Sequence, residues 1–403
     1  MSLLDTLKKN TSSPFVRSIN NSFIQENTEL TWDTEVPMMN VAFSGKMNIG
    51  FQSGITVWAG PSRHFKTLYA LTQLNAWFKN NVDPDNAVAL LYDTEYGITE
   101  AYLEQFPYLV KHLNQILHIP VNTLEELRHE ASKQVEMLYE KYRTDYKKAP
   151  KTTTKPNVFI LIDSIGQVAS TKETKDAVDG SEKADMTRAK MVKSIFRILT
   201  SKVKMLGIPT VVVAHTYQTM EMFSKAVVSG GTGMMYSADN VFILGKAQDK
   251  DGTDLLGYKF TINVEKSRFI RDKSKIGILV HFEKGILKYS GLLDLAKECG
   301  LVSQCRVGRS GGWAFTVKAD DEEEIVAGEG VENPNTWKAL TKEVDTDDQF
   351  WKGIFDHSDF ADVIEATYKI PINRTAAEQA LIEGSDINLE AAVIGEGADS
   401  SNG

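Results

Sequence analysis

Between about residues 31 and 281 the chain alternates short apolar runs with longer amphipathic segments. The runs are ITVWAG (55–60), AVALLYD (87–93), NVFILID (157–163), PTVVVAH (209–215), NVFILG (240–245) and KFTINVE (259–265). Continuous β-branched runs of this kind suit strands covered on both faces, so they predict an α/β core with a mainly parallel sheet flanked by helices. Segments 66–78, 124–142 and 186–203 read as those helices, and the polar stretch 145–156 as a loop. Upstream, residues 1–30 are polar, with Phe15, Val16, Ile19, Phe23 and Ile24 at roughly helical spacing. They predict a helical arm that either contacts a neighbouring subunit or packs on the chain's own core. Downstream, 282–374 reads as a small α/β unit with a turn at GRSGG (308–312), and the acidic 375–403 as a disordered tail.

Composition adds limits. With 42% hydrophobic and 25% charged residues over 403 positions, the chain has ordinary globular content and room for more than one packed unit. No apolar run is long enough to span a bilayer, and MSLLDTLKKNTSS lacks the apolar stretch of a secretory signal. Two cysteines, Cys299 and Cys305, predict neither a disulfide framework nor a zinc site. The expectation is a soluble, cytoplasmic protein with no membrane partner. The net charge of −9 conceals local structure: six acidic and no basic residues occupy 375–403, leaving −3 over the rest. Segment 183–204 carries seven Lys/Arg against one acid, and 259–288 eight against three. Local fields rather than the mean decide polyanion binding.

Candidate chemistry sits at the ends of the predicted strands. Gly60, Pro61, Ser62, Arg63, His64, Phe65, Lys66 and Thr67 follow one strand and open a helix, the arrangement of a P-loop. Lys66 would reach the β/γ phosphates and Thr67 a magnesium ion. Asp163 ends a second strand, where a carboxylate can hold magnesium, and Glu95 follows a third, where it can polarise water. Taken singly, Lys66 reads as a surface lysine on a turn, Asp163 as a loop cap and Glu95 as a solvated acid. Three such features in this order, each at a strand end, point to a nucleoside triphosphatase.

At these residues the chain resembles the RecA-type recombinases, and within them the UvsX branch of tailed phages. The resemblance is carried by segments 37–67, 90–103, 159–166, 185–198, 212–239 and 263–268. The phage-type loop GPS-x-x-F-K-[S/T] itself has Phe before the lysine, as Phe65 does here. The resemblance implies ATP and Mg2+ as cofactors, with Lys66 and Thr67 on the phosphates and metal, Asp163 as the second metal-binding acid, and Glu95 activating water. Tyr102 would stack on adenine, and His215 would sense the γ-phosphate where bacterial RecA has glutamine. Lys266 and Arg268, two apart on one strand, would reach a neighbouring subunit's ATP. Two loops would hold single-stranded DNA: one at about 169–184, leading into a helix with Arg188, Lys190, Lys193 and Arg197, and one at about 217–238, with Met222, Phe223, Lys225, Gly230, Gly231, Gly233 and Met234. Glycines permit close approach to phosphates, and flexible apolar side chains can wedge between bases.

The implied activity is DNA-dependent ATP hydrolysis driving homologous pairing and strand exchange in a helical filament of this chain. It serves phage recombination, repair and recombination-dependent replication in the host cytoplasm. Implied partners are single-stranded DNA, homologous duplex, a single-strand-binding protein and a recombination mediator. A hexameric RecA-fold replicative helicase shares the P-loop, the glutamate and the inter-subunit cations. It is the strongest alternative, and an ATP-binding scaffold of the same fold is a weaker one.

Overall fold

The computed structural model describes residues 2–19, 22–180, 187–218, 226–317 and 336–370. Its centre is a ten-stranded sheet. Across it lie Gly285–Ile286, Lys275–His281, Asp254–Lys266, Asn240–Asp251, Gly54–Gly60, Pro209–Gln218, Val158–Asp163, Val88–Asp93 and Ile116–Pro120, with Ala226–Val228 paired to Pro209–Gln218. Asn240–Asp251 and the strands after it in this order, through Ile116–Pro120, pair in parallel; the strands on the far side and the short Ala226–Val228 are antiparallel. The parallel strands Gly54–Gly60 and Val158–Asp163 are buried at every position, which is why they read as unbroken apolar runs.

Burial alternates where coverage is one-sided. Lys275–His281 switches between buried and partly exposed residues although Ile278, Leu279 and Val280 form an apolar run. The runs at 240–245 and 259–265 are the buried ends of a long hairpin, Asn240–Asp251 with Asp254–Lys266, whose polar tips project into solvent. Helix Leu124–Lys148 outruns its predicted end at 142, because Tyr146 is buried and Lys141 pairs with Asp145 one turn on. Helix Thr187–Leu206 stops at Gly207, whose φ of 70° suits a left-handed helix end. In the C-terminal unit only Gly308–Arg309 form the turn, and Ser310–Thr316 is a strand between Ser303–Val307 and Thr336–Leu340.

Two apolar layers cover the sheet. One side holds Val57, Ile160, Ile162 and Val212 against the helices Leu124–Lys148 and Thr187–Leu206. The other holds Trp58, Tyr69, Trp77, Phe159 and Phe242, and continues through Tyr289 into Trp351 and Phe360 of the C-terminal unit. The N-terminal arm lies on its own protomer: Phe15 stacks on Tyr142 at 5.8 Å and touches Tyr146 at 5.2 Å. Arg17 lies over the Phe23 ring at 4.2 Å and donates to the Tyr146 hydroxyl, while pairing with Glu26. Its first helix, Leu3–Lys9, leaves Leu3, Leu4 and Leu7 exposed. Among the described residues no helix is long and apolar enough to cross a membrane. The acidic tail 375–403 and Met222, Phe223 and Lys225 lie outside the described residues.

Candidate functional site

Strand register assembles the site. In the parallel sheet Gly60 is level with His215, and Asp93 with Asp163. The intervening pair joins Ile162 to Val212, so these four strand ends meet along one carboxyl edge of the sheet. That edge carries the loop Gly60–Thr67, the turn with Glu95, and the segment after Asp163.

The loop closes into helix Lys66–Lys79 through Phe65, whose φ of 53° and ψ of 30° are left-handed. Such a backbone disfavours any residue with a Cβ by roughly 1–2 kcal/mol, which is why glycine is usual there. Here the ring compensates, packing 5.4 Å from Phe260 and 5.9 Å from Tyr258. Lys246 ties the loop from outside, donating to the Arg63 carbonyl at 3.0 Å while lying 3.7 Å over Tyr258. Pro61, Ser62 and Arg63 are exposed, whereas Lys66 is buried and donates to the Pro61 carbonyl at 2.9 Å. Burial pulls the Lys66 ammonium below the usual lysine range, against the stabilising fields of Glu95 and Asp163. His64 is likewise lowered, chiefly by burial and then by Lys246 and Lys66.

Thr67 donates its hydroxyl to Asp163 Oδ2 at 2.7 Å. Asp163 Oδ1 is buried with no protein partner. Burial, reinforced by Glu95 and Asp93, pushes this carboxyl up to about 6. A buried carboxylate oxygen lacking a donor, beside a threonine hydroxyl, fits a hard divalent cation with oxygen ligands. Tyr102 sits half-buried on the neighbouring helix Glu100–Leu103, its hydroxyl raised to about 12 by burial and then by Asp163.

Glu95 is held from three sides. Ser164, fully buried, donates its hydroxyl to Oε1, and His215 Nε2 lies 3.0 Å from the same oxygen. The His215 hydrogen bond, then that of Ser164, keeps the carboxyl below its ordinary range despite opposing burial. Asp93, itself buried, accepts from the Glu95 and Tyr96 backbone N–H groups at 3.0 and 2.7 Å and meets His118 at 3.0 Å. That fixes the turn presenting Glu95, including Tyr96 at φ 54°. The His215 N–H donates to the Ser229 hydroxyl at 3.1 Å and the His215 carbonyl accepts from the Ser229 N–H at 2.7 Å, which joins this edge to the second predicted DNA loop.

Residues 289–364 match a family described as the C-terminal domain of the bacteriophage T4 recombination and repair protein. Over 337 residues the chain is 42% identical to the recombination and repair protein of Enterobacteria phage T4, covering 84% of this chain and 78% of that one. The chain belongs to the UvsX family of phage recombinases.

The residues that family resemblance links to a neighbour's ATP occupy the opposite edge of the sheet. Lys266 is level with Val241 and hence with Val57, three residues before Gly60, or about 10 Å back along the strand. Its ammonium donates to the Met235, Tyr236 and Ala238 carbonyls at 2.7–3.1 Å, capping helix Gly231–Ser237. Arg268 is 63% exposed at the side chain and pairs with Asp239 at 2.9 Å.

The candidate DNA residues divide into two sets. Lys190, Lys193 and Arg197 form an exposed stripe on helix Thr187–Leu206. Helix Gly231–Ser237 packs beside it: a Cβ at Gly233 would lie 2.7 Å from Lys193 Cβ. Met234 is fully buried against Gly230 and the sheet, so it serves the core here and presents no wedge to a base. Gly230 (φ 115°) and Gly231 (φ 71°) make the left-handed entrance to that helix. Arg188 directs its guanidinium inward, to the carbonyls of Ile165, Gly166 and Val168. Sequence reasoning missed Ser164, Gln167 and Ser229 around Glu95 and His215, and the exposed aromatics Tyr217 and Tyr236. The rings had a signal, since both fall inside the second loop as read from the sequence.

Proposed function

We propose that the chain is an ATP-dependent recombinase that forms helical filaments on single-stranded DNA and catalyses homologous pairing and strand exchange. The observation that supports this best is the split of catalytic groups across the sheet. Lys66, Thr67, Asp163 and Glu95 gather on one edge, while Lys266 and Arg268 stand on the other, where they serve only another copy's nucleotide. A hydrolytic site completed by the next subunit makes assembly and ATP state interdependent.

In this reading Gly60–Thr67 cradles the phosphates, Lys66 leaves the Pro61 carbonyl for them, and Tyr102 stacks on the base. Thr67 and Asp163 hold magnesium, which neutralises charge on the phosphates. Glu95 accepts the proton of the attacking water, oriented by Ser164 and Asp93, and His215 donates to the γ-phosphate when it releases Glu95. Since His215 is bonded to Ser229, its movement reaches Gly230 and Gly231 and the loop outside the described residues with Met222, Phe223 and Lys225. Lys190, Lys193 and Arg197 meet phosphates, and Tyr217 and Tyr236 offer faces on which bases stack. Sequence is read by base pairing with the incoming duplex, so the protein recognises backbone and shape. A single-strand-binding protein and a loading factor belong to this reading as partners in the host cytoplasm.

The test is ATP-dependent pairing of one strand with homologous and with unrelated duplex, run side by side. Joint molecules with the homologous duplex only are the expected result. Unwinding of a forked duplex without homology-dependent joints would replace this reading with that of a hexameric helicase.

A further inference from the structure

Arg188 lies in the first turn of helix Thr187–Leu206, where the chain leaves the first loop. Its partners are the residues by which the chain runs into that loop. One Nη donates to the Gly166 carbonyl at 2.8 Å and to Ile165 at 3.2 Å, and Nε faces the Val168 carbonyl at 3.4 Å. The segment expected as a loop holds a helix, Thr171–Val178, and the guanidinium ties the two flanks of this first-loop segment together at its neck. A planar fork with several donors can serve three carbonyls at once, which an ammonium does poorly.

The neck touches the hydrolytic centre. Gly166 lies so close to His215 that a Cβ there would sit 2.8 Å from His215 Cδ2 and 2.8 Å from Ser229 Oγ. Gln167 Nε2 lies 3.3 Å from His215 Nε2, the atom that meets Glu95 at 3.0 Å. Ile165 is fully buried and donates its N–H to Val213 on the same strand as His215. Any displacement of the neck is thus passed to His215 by direct contact.

We infer that Arg188 is a positioning residue, which couples the first loop to the His215–Glu95 pair rather than contacting DNA. The inference rests on the ATPase reading proposed above, and the experiment separates the two. Full-length wild type, R188A, R188K, H215A and R188A/H215A are compared with poly(dT) as the DNA. Salt dependence of binding and ATP turnover at saturating DNA are measured for each.

A residue bound to a phosphate contributes about 0.7 to the slope of log affinity against log salt on single strands. R188A should leave that slope unchanged and lower DNA-stimulated turnover roughly tenfold, as expected when a reacting group is mispositioned. R188K, which retains charge but not the fork, should fall between wild type and R188A. In the double variant R188A should add less than about twofold to the H215A defect, because both act through one group. A slope reduced by about 0.7 with normal turnover at saturating DNA would make Arg188 a phosphate contact and overturn the inference. Multiplicative defects in the double variant would also overturn it. Wild type without DNA-stimulated turnover would sink the ATPase reading and this inference with it; wild-type stimulation with normal R188A turnover would sink the inference alone.

Discussion

Phe65 offers a quantitative test of how the loop Gly60–Thr67 is built. Its backbone is left-handed, and its half-buried ring rests on Phe260 and Tyr258. Phe65→Ala removes the ring but keeps a Cβ in the disfavoured conformation. Phe65→Gly removes the ring and the strain together. Loss of a half-buried ring with two aromatic contacts should cost about 2–3 kcal/mol. Relief of the left-handed backbone returns about 1 kcal/mol to the glycine variant alone. Phe65→Gly should therefore be more stable than Phe65→Ala by about 1 kcal/mol, the reverse of the order at an ordinary helical position. Equilibrium urea unfolding without nucleotide reads this as a higher midpoint for glycine at equal slope. An alanine variant as stable as the glycine variant would refute the claim that aromatic packing offsets backbone strain in this loop.

Other perturbations follow from the same geometry. Asp163→Asn keeps an acceptor for the Thr67 hydroxyl but removes the carboxylate beside the unpartnered site. Wild type should gain about 2.7 kcal/mol of stability at a hundredfold excess of Mg·ATP over its Kd, read as a rise in Tm, and the variant should gain almost none. Asp345 is pushed up to about 6 by burial and then by Asp294, from an ordinary 3.8. Its folded state holds the proton more tightly than the unfolded one, so its contribution is full below pH 3.8 and lost as pH rises towards 6. Above that, wild type carries a penalty of about 3 kcal/mol. Asp345→Asn should thus raise the urea midpoint at pH 7.5, with the advantage vanishing near pH 4. Arg17→Ala removes two bonds to Tyr146, the pair with Glu26 and the stack on Phe23. A local loss of about 2 kcal/mol should speed proteolysis of the arm roughly thirtyfold under conditions where cleavage follows the open population.

The sequence was legible where chemistry and coverage are local. Central strands read as apolar runs because both faces are buried, and Lys66, Thr67 and Asp163 stand at their ends. Ile116–Pro120 escaped because it lies at the sheet edge, with residues mostly exposed or half-exposed and so no run to read. The arm's destination was open in the sequence, since apolar residues at helical spacing fit a neighbour or a core equally well. In this structure Phe15 packs on Tyr139, Tyr142 and Tyr146 of helix Leu124–Lys148.

The site's supporting shell was illegible for a different reason. Ser164, His215 and Glu95 come from three strand ends separated by 69 and 120 positions along the chain, and only the sheet register brings them to one oxygen. Composition even misdirects at such places. A run of Gly and Met suggests a supple surface against bases, yet Gly233 is small so that its helix can lie on Lys193, and that approach carries Met234 into the core. Arg188 shows the same with charge: a basic residue beside a predicted DNA loop reads as a phosphate ligand, while its donors meet backbone carbonyls. Both residues are committed to packing between the two predicted loops and the carboxyl edge of the sheet. In the proposed mechanism rigidity there has a functional consequence, because a first loop displaced by bound DNA would reposition His215 only if nothing in between gave way.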